Sequence, residues 1–291
     1  MLPQPKISAN PLSQWMRQPK IYIRLPSQGR YWSRNAIDIP ENGELAVYSM
    51  TARDELLFKT PDALMNGQAI VDVIQSCVPS IKNAWACPTI DVDTVLIAIR
   101  LATYGEKMPF KFRVPNTQDE VDYDIDLRIL LDQQANNHWI DQVVISDELV
   151  VFVNPLTFKH LNQTNMKSFE TNRIMSMVND ENIPEEKKLE IFNSSFSNLT
   201  KISIDLLADS INKIVTPSGE VTEKQYITEF VNNVDKDVFE KIQNHIKELK
   251  QHNDIKPLEF SSTPEQIELG APETYTIPIT FNNSDFFAQG F

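Results

Sequence analysis

The scarcity of glycine is the feature that most restricts which folds this chain can adopt. Only 7 of its 291 residues are glycine, about a third of the roughly 7% that is usual in proteins. Rossmann and P-loop folds cradle phosphate groups in glycine-rich turns, and the sequence contains no turn of that kind. Nucleotide-binding folds are therefore disfavoured, and we expect the protein to work without a cofactor.

Charge is distributed unevenly along the chain. The formal net charge is -13 at pH 7, and residues 35–291 alone carry -19. This acidic body does not fit a protein that follows a nucleic-acid backbone, because neutralising phosphates requires clustered lysine and arginine. The first 34 residues contain no acidic side chain and six basic ones, namely Lys6, Arg17, Lys20, Arg24, Arg30 and Arg34.

Hydrophobic segments are too short to cross a bilayer. The longest uninterrupted apolar runs, 95–99 and 149–153, have about five residues, whereas a transmembrane helix needs roughly 20. The first 20 residues are polar and contain four prolines, where a secretory signal needs an apolar stretch. We therefore expect no membrane span and a protein that stays in the compartment where it is made.

Periodicity and turn residues divide the chain into four predicted parts. An extended basic arm over residues 1–20 precedes an α+β domain over 21–153, in which short strands are followed by capped helices. Residues 154–256 predict a helical domain, and 257–291 predict an extended, β-like C-terminal segment. The expected fold class is α+β, mainly helical, with small β-hairpins in an N-terminal and a C-terminal lobe.

Several helices have clear local signals. Thr51 and Asp54 have the spacing of an N-cap and its third helical residue. Asp91, in the sequence Asp-Val-Asp-Thr, predicts the N-cap of an apolar helix that ends at Gly105. Residues 199–215 are predicted to form a further helix.

Acidic and apolar side chains alternate in the second strand of a predicted hairpin. Asp122, Asp124 and Asp126 share one face of this strand, because side chains point to alternate faces. Their spacing is that of the beginning of an EF-hand loop, but Leu127 stands where that loop requires glycine. We therefore expect a solvated strand face and no metal site.

No sequence pattern indicates a particular reaction. The chain has neither a G-x-S-x-G nor an H-E-x-x-H motif, and its four histidines are not part of a ligand set with recognisable spacing. Two carboxylates could still meet in the fold as a hydrolytic pair, with the acids at 119–126 as the first place to test. We expect no catalytic residues, and a carboxylate-pair hydrolase stays open as the alternative.

Both ends of the chain predict contacts with other proteins. Exposed aromatic side chains are costly unless a partner or the chain's own core covers them, and residues 284–291 contain three phenylalanines. Burial in the chain's own core stays open for this tail. The residues that we expect to bind a partner are Trp15, Arg17, Lys20, Arg24, Arg30, Phe286, Phe287 and Phe291.

Five segments of the first half carry a family pattern in both order and spacing. They are Leu25-Pro-Ser-Gln-Gly-Arg-Tyr-Trp, Met50-Thr-Ala-Arg-Asp-Glu, Pro61-Asp-Ala-Leu-Met-Asn-Gly, Val73-Ile-Gln-Ser-Cys-Val and Ile99-Arg-Leu-Ala-Thr-Tyr-Gly. This pattern resembles the baseplate hub subunit and hub-assembly proteins of T4-type contractile-tailed phages. The similarity is strong over residues 24–130 and looser after residue 150.

The hairpin after the last of these segments departs from the family. Several relatives have a Cys-x-x-Cys element there, whereas this chain has Val114-Pro-Asn-Thr-Gln-Asp-Glu-Val. Without thiols the hairpin cannot hold zinc. We expect cross-strand packing, such as that of Phe112 with Tyr123, to hold it together instead.

The resemblance implies a structural or assembly role without catalysis. The partners would be other baseplate hub and tail proteins, and the protein would occur in the tail baseplate of the virion and in the host cytoplasm during assembly. A retained hub component and a transient assembly chaperone agree equally well with the sequence. A hub-associated enzyme that degrades the cell wall is the alternative, and the oligomeric state stays open.

Overall fold

The computed structural model describes Leu12 and residues 15–58, 67–178 and 184–279. In these residues the helices are α1 (Ala52–Leu57), α2 (Gln68–Cys77), α3 (Thr89–Tyr104), α4 (Leu127–Ala135), α5 (Phe158–Val178), α6 (Glu185–Ser210), α7 (Lys224–Asn233), α8 (Lys236–Asn253) and α9 (Pro264–Glu268). The strands are β1 (Pro19–Ile23), β2 (Leu45–Tyr48), β3 (Lys107–Arg113), β4 (Glu120–Asp126), β5 (Gln142–Ser146), β6 (Leu149–Val153), β7 (Ile211–Thr216), β8 (Gly219–Val221), β9 (Leu258–Ser261) and β10 (Thr274–Ile277). The predicted α+β class is confirmed.

The strands pair antiparallel in four small sheets. Three of them are two-stranded and join β1 with β2, β3 with β4, and β9 with β10. The fourth has the order β5-β6-β7-β8, and the helix pair α5–α6 lies in the chain between β6 and β7. The strands β5 and β6 lie within the predicted α+β domain over 21–153, whereas β7 and β8 lie in the part predicted as helical and are an addition to the predicted architecture.

The prediction of a helix over residues 199–215 is wrong in its last part. Helix α6 ends at Ser210 and the chain continues as β7, which pairs with β6. Ile211 and Ile214 are buried, and a spacing of three residues between apolar positions fits a helix as well as an irregular strand. The β-branched content of 211–216 favours a strand, and pairing with β6 decides it.

Two of the three predicted helix-end signals are confirmed. Thr51 and Asp54 form a capping box, in which the threonine oxygen accepts from the Asp54 N–H and the carboxylate accepts from the Thr51 N–H. Gly105 ends α3 with a φ of 92°. Asp91 is not an N-cap, because α3 begins two residues earlier at Thr89 and buries Asp91 in its first turn.

The hairpin β3–β4 is packed differently from the prediction. Phe112 lies opposite Val121, and Tyr123 lies opposite Phe110, so the expected pairing of Phe112 with Tyr123 is wrong. Both rings instead contact Phe260 on β9, with centroid distances of 4.6 Å and 5.2 Å. The C-terminal strands therefore cover this hairpin.

Two clusters of buried side chains form the core. The first gathers β1, β2 and helices α2 to α4, and the second packs the four-stranded sheet against α7 and α8. Helix α3 contributes to both, because Ile90 belongs to the second cluster and Val95 to the first. The buried apolar side chains described in α5 and α6 lie at the helix ends that adjoin β6 and β7 in the chain, namely Phe158, Leu207 and Ala208.

Candidate interaction surfaces

Arg17 connects the beginning of the described chain to α1 and α2. Its Nη1 donates to the carbonyl of Ser49 at 2.7 Å, and its Nη2 donates to the carbonyl and the hydroxyl of Ser76 at 2.6 Å and 2.9 Å. The buried carboxylate of Asp54 lies 3.4 Å from Nη1, and the Tyr48 ring centroid lies 5.7 Å from the guanidinium carbon. The guanidinium is therefore engaged within the protein, and its contact with a partner stays a prediction.

The other predicted partner-binding residues that the structure describes lie on the surface. Trp15 is 79% exposed, and Lys20 and Arg30 are exposed on β1 and on the following loop. Arg24 forms a surface ion pair with Glu44 at 3.1 Å. Three predicted residues lie outside the described part of the chain, namely Phe286, Phe287 and Phe291.

The loop over residues 25–32 is fastened by one buried carboxylate. Asp91 accepts the Ser27 N–H at 2.9 Å, the Ser27 hydroxyl at 2.5 Å and the Trp32 indole N–H at 2.8 Å. Burial raises the pKa of Asp91, and the hydrogen bonds from Ser27 and Trp32 oppose that shift. These hydrogen bonds hold the loop against α3. The sequence did not indicate this role of Asp91, because its position before an apolar helix predicted an N-cap instead.

An apolar stripe lies exposed along α6. Leu189, Phe192, Phe196 and Leu199 follow one another at intervals of three and four residues, which places them on one face of the helix. Their exposed fractions are 61%, 47%, 65% and 39%. Farther along the same face Leu207 is 6% exposed in the second core cluster.

We call these four side chains the α6 stripe. The described residues cover this helix face near the sheet, and they leave the preceding three turns open to solvent. Sequence reasoning missed the stripe, because apolar residues at helical spacing are normally a core face.

The acidic residues of the β3–β4 hairpin form ion pairs across the two strands. Lys111 Nζ lies 3.0 Å from Asp122, and an Arg113 amino group lies 3.6 Å from Glu120. The predicted solvated face is confirmed for Asp122 and Asp124, which are exposed, whereas Asp126 is half-buried and caps α4 by accepting the Arg128 N–H. The hydrolase hypothesis gains no support from this cluster.

Among the residues that the structure describes, no group of three or more histidine, cysteine or acidic side chains is placed to hold a metal ion.

A polar cavity of about 310 Å³ lies between α5, α6 and α7. Asp209 is at its wall, 2.9 Å from Lys224 Nζ and 3.7 Å from His160 Nε2. Lys224 also donates to the carbonyl of Ala208. These contacts join the three helices next to the sheet.

Comparison with known proteins decides the family. A family model described as T4 bacteriophage base plate protein matches residues 33–268, which is most of the chain. The chain belongs to the T4 baseplate protein family. The match confirms the resemblance to T4-type baseplate proteins, and it includes the four-stranded sheet and the α6 stripe. No curated protein and no solved structure matches the chain.

Membership of the T4 baseplate family makes this a structural protein of the phage baseplate. It implies contacts with other baseplate proteins and a location in the tail baseplate of the virion. Within the described ranges, no helix combines the length and the apolar character that a membrane span requires.

Proposed function

We propose that this baseplate protein acts in the central hub, as a retained component or as a chaperone of hub assembly, and that it catalyses no reaction. The observation that carries the proposal is the similarity of residues 25–32 and of the four segments after them to hub subunits and hub-assembly proteins. Leu25, Met50, Val73 and Ile99, one from each of four of these segments, are buried in the first core cluster. The similarity therefore extends over one packed unit, which supports a shared fold and role.

Protein–protein contact is the proposed mode of action. The body is acidic, and the exposed basic side chains Lys20, Arg24 and Arg30 lie close together in sequence near its N-terminus. Such a segment attracts an acidic neighbour at long range and fixes the orientation of docking, with a strong dependence on salt. We propose that it docks on an acidic hub protein and so sets the order of assembly.

The hub role is tested by locating the protein during assembly. Mass spectrometry of purified hub intermediates and of mature tails should find it in the intermediates. Its presence in mature tails would identify a retained component, and its loss from them a chaperone. A phage that lacks the protein and still builds normal hubs, together with its absence from the intermediates, would contradict both forms of the proposal.

The docking of the basic segment is tested by charge neutralisation. Arg17 is left unchanged, because its guanidinium is hydrogen-bonded within the protein. Replacing Lys20, Arg24 and Arg30 by glutamine should weaken incorporation into hubs and make it less sensitive to salt. The control removes the same number of charges at three exposed lysines elsewhere, namely Lys236, Lys247 and Lys256. Equal incorporation of the two variants would contradict the proposed docking.

A further inference from the structure

We propose that the α6 stripe is the docking face for one amphipathic helix of another baseplate protein, whose apolar residues follow the same three-and-four spacing. The inference rests on the proposed function only in that it takes the partner from the baseplate. It adds a surface that is separate from the basic N-terminal segment.

The shape and polarity of the stripe favour a helix as the occupant. From Leu189 to Leu199 it extends over about 15 Å, since a helix rises 1.5 Å per residue. No charged residue occurs between Glu190 and Lys201, although 23% of the whole chain is charged. An uncharged apolar seam with three-and-four spacing is what a partner helix with matching spacing packs against.

A groove beside the stripe supplies a place for partner side chains. It has a volume of about 690 Å³, and it lies between α6 and α7. Phe196 borders both the stripe and the groove, and Ile204 and Thr228 line the groove farther along. Helix-in-groove recognition uses apolar anchors spaced three or four residues apart in this manner.

Area and charge argue against a second copy of this chain as the occupant. Four partly exposed side chains offer on the order of 400 Å² of apolar surface, about half of the 800 Å² per partner that a self-standing interface buries. Two copies would each carry a net charge of -13 and would repel each other. A helix belonging to a larger assembly needs less area, because other contacts hold it at high effective concentration.

The first test identifies what lies on the stripe. A photo-crosslinking amino acid replaces Phe196 in the full-length protein, which is added to hub assembly mixtures from a phage that lacks it. We expect a product with another baseplate protein through a segment with apolar residues at three-and-four spacing. A crosslink to a second copy of this chain, or to a segment without that spacing, would overturn the proposal.

The second test measures the contribution of the stripe with a matched control. The variant Leu189→Ser/Leu199→Ser should reduce incorporation by about tenfold or more, because apolar anchors carry most of the affinity of such a contact. The control Leu56→Ser/Leu269→Ser makes the same change at side chains that are 61% and 64% exposed elsewhere, and it should stay within about twofold of wild type. Thermal unfolding of both variants checks that they remain folded.

The outcomes separate this inference from the hub role. If the wild-type protein and the stripe variant enter hubs equally well, the inference is overturned and the hub role stands. A crosslink from position 196 to a baseplate protein outside the hub would support the stripe and contradict the hub role.

Discussion

Arg17 and Arg24 both belong to the basic N-terminal segment, but their surroundings differ. The side chain of Arg17 is 28% exposed and donates to two backbone carbonyls, whereas that of Arg24 is 69% exposed and forms its ion pair with Glu44 at the surface. Charge counting along the sequence treats the two as equal, because it cannot detect which cation the folded chain engages.

Arg17→Met should lower the free energy of unfolding by about 2–3 kcal/mol, since it removes charged hydrogen bonds and leaves buried Asp54 without its cation. Arg24→Met should cost about 0.5 kcal/mol or less, because exposed ion pairs contribute little. Urea unfolding of the two variants measures the difference. Equal losses would show that Arg17 is no more important to the fold than a surface cation.

Asp93 in α3 makes stability depend on pH. Burial, and then the charge of Asp254, raise the pKa of Asp93 to about 6. The folded protein therefore binds this proton more tightly than the unfolded chain does, and its stability falls as pH rises from about 4 to about 6.

Asp93→Asn should remove this loss, because asparagine carries no proton to release. At pH 7 the variant should be more stable than wild type by up to about 2 kcal/mol, because Asp93 is half-buried and solvent screens part of the effect. Near pH 4 the two should unfold alike. Asp147→Asn, in the exposed turn between β5 and β6, is the control, and a pH-independent difference for Asp93→Asn would refute the assignment.

At the level of elements, the loop over residues 25–32 depends on a glycine that the sequence could not distinguish from others. Gly29 has a φ of 80°, and a Cβ added there would overlap the Cδ1 of Ile39. Gly43 has a similar φ of 73°, but the space around it is open. Both positions strain an L-residue in the same way, and only Gly29 also requires a neighbour to move.

Gly29→Ala should therefore destabilise the protein by about 1.5 kcal/mol, and Gly43→Ala by about 1 kcal/mol, because the overlapping Cδ1 is the end of the exposed Ile39 side chain and moves aside at a small cost. The difference between the two losses in unfolding free energy measures the cost of displacing Ile39, because the backbone strain is the same at the two glycines. Thermal unfolding followed by circular dichroism measures the two losses. A larger loss for Gly43→Ala would mean that contact with Ile39 is not what restricts the loop.

Local signals predicted elements well where the cause is itself local. The capping box at Thr51 and Asp54 and the helix end at Gly105 depend on residues within one turn, and both are confirmed. The strand β7 and the burial of Asp91 depend on β6 and on Ser27, which lie about 60 residues away in the chain. No periodicity within a short window contains that information.

For the whole molecule, α3 is the link between the two core clusters. Ile90 packs in the second cluster, and the rest of the helix packs in the first. A helix that is shared in this way cannot keep its packing in one cluster after the other has opened. We therefore expect the described body to unfold in one cooperative transition.

The test uses one conservative core substitution in each cluster. Ile97→Val in the first and Ile242→Val in the second should each cost about 1 kcal/mol, and each should shift the urea midpoints seen by tryptophan fluorescence and by circular dichroism equally. Trp32 and Trp85 pack on the first cluster and Trp139 belongs to the second. A substitution that moves only one of the two midpoints would show that the clusters unfold separately.

The amino-acid sequence by itself determined the α+β class, the helix ends at Thr51 and Gly105, the charge division and the family pattern, because each of these resides in composition or in neighbouring residues. Only the tertiary structure decided that Arg17 is engaged within the protein, that Asp91 fastens the loop over 25–32 and that the α6 stripe is exposed. These depend on which distant segments meet. An apolar stripe has the same spacing whether the fold covers it or leaves it for a partner, and its burial is therefore a property of the whole molecule.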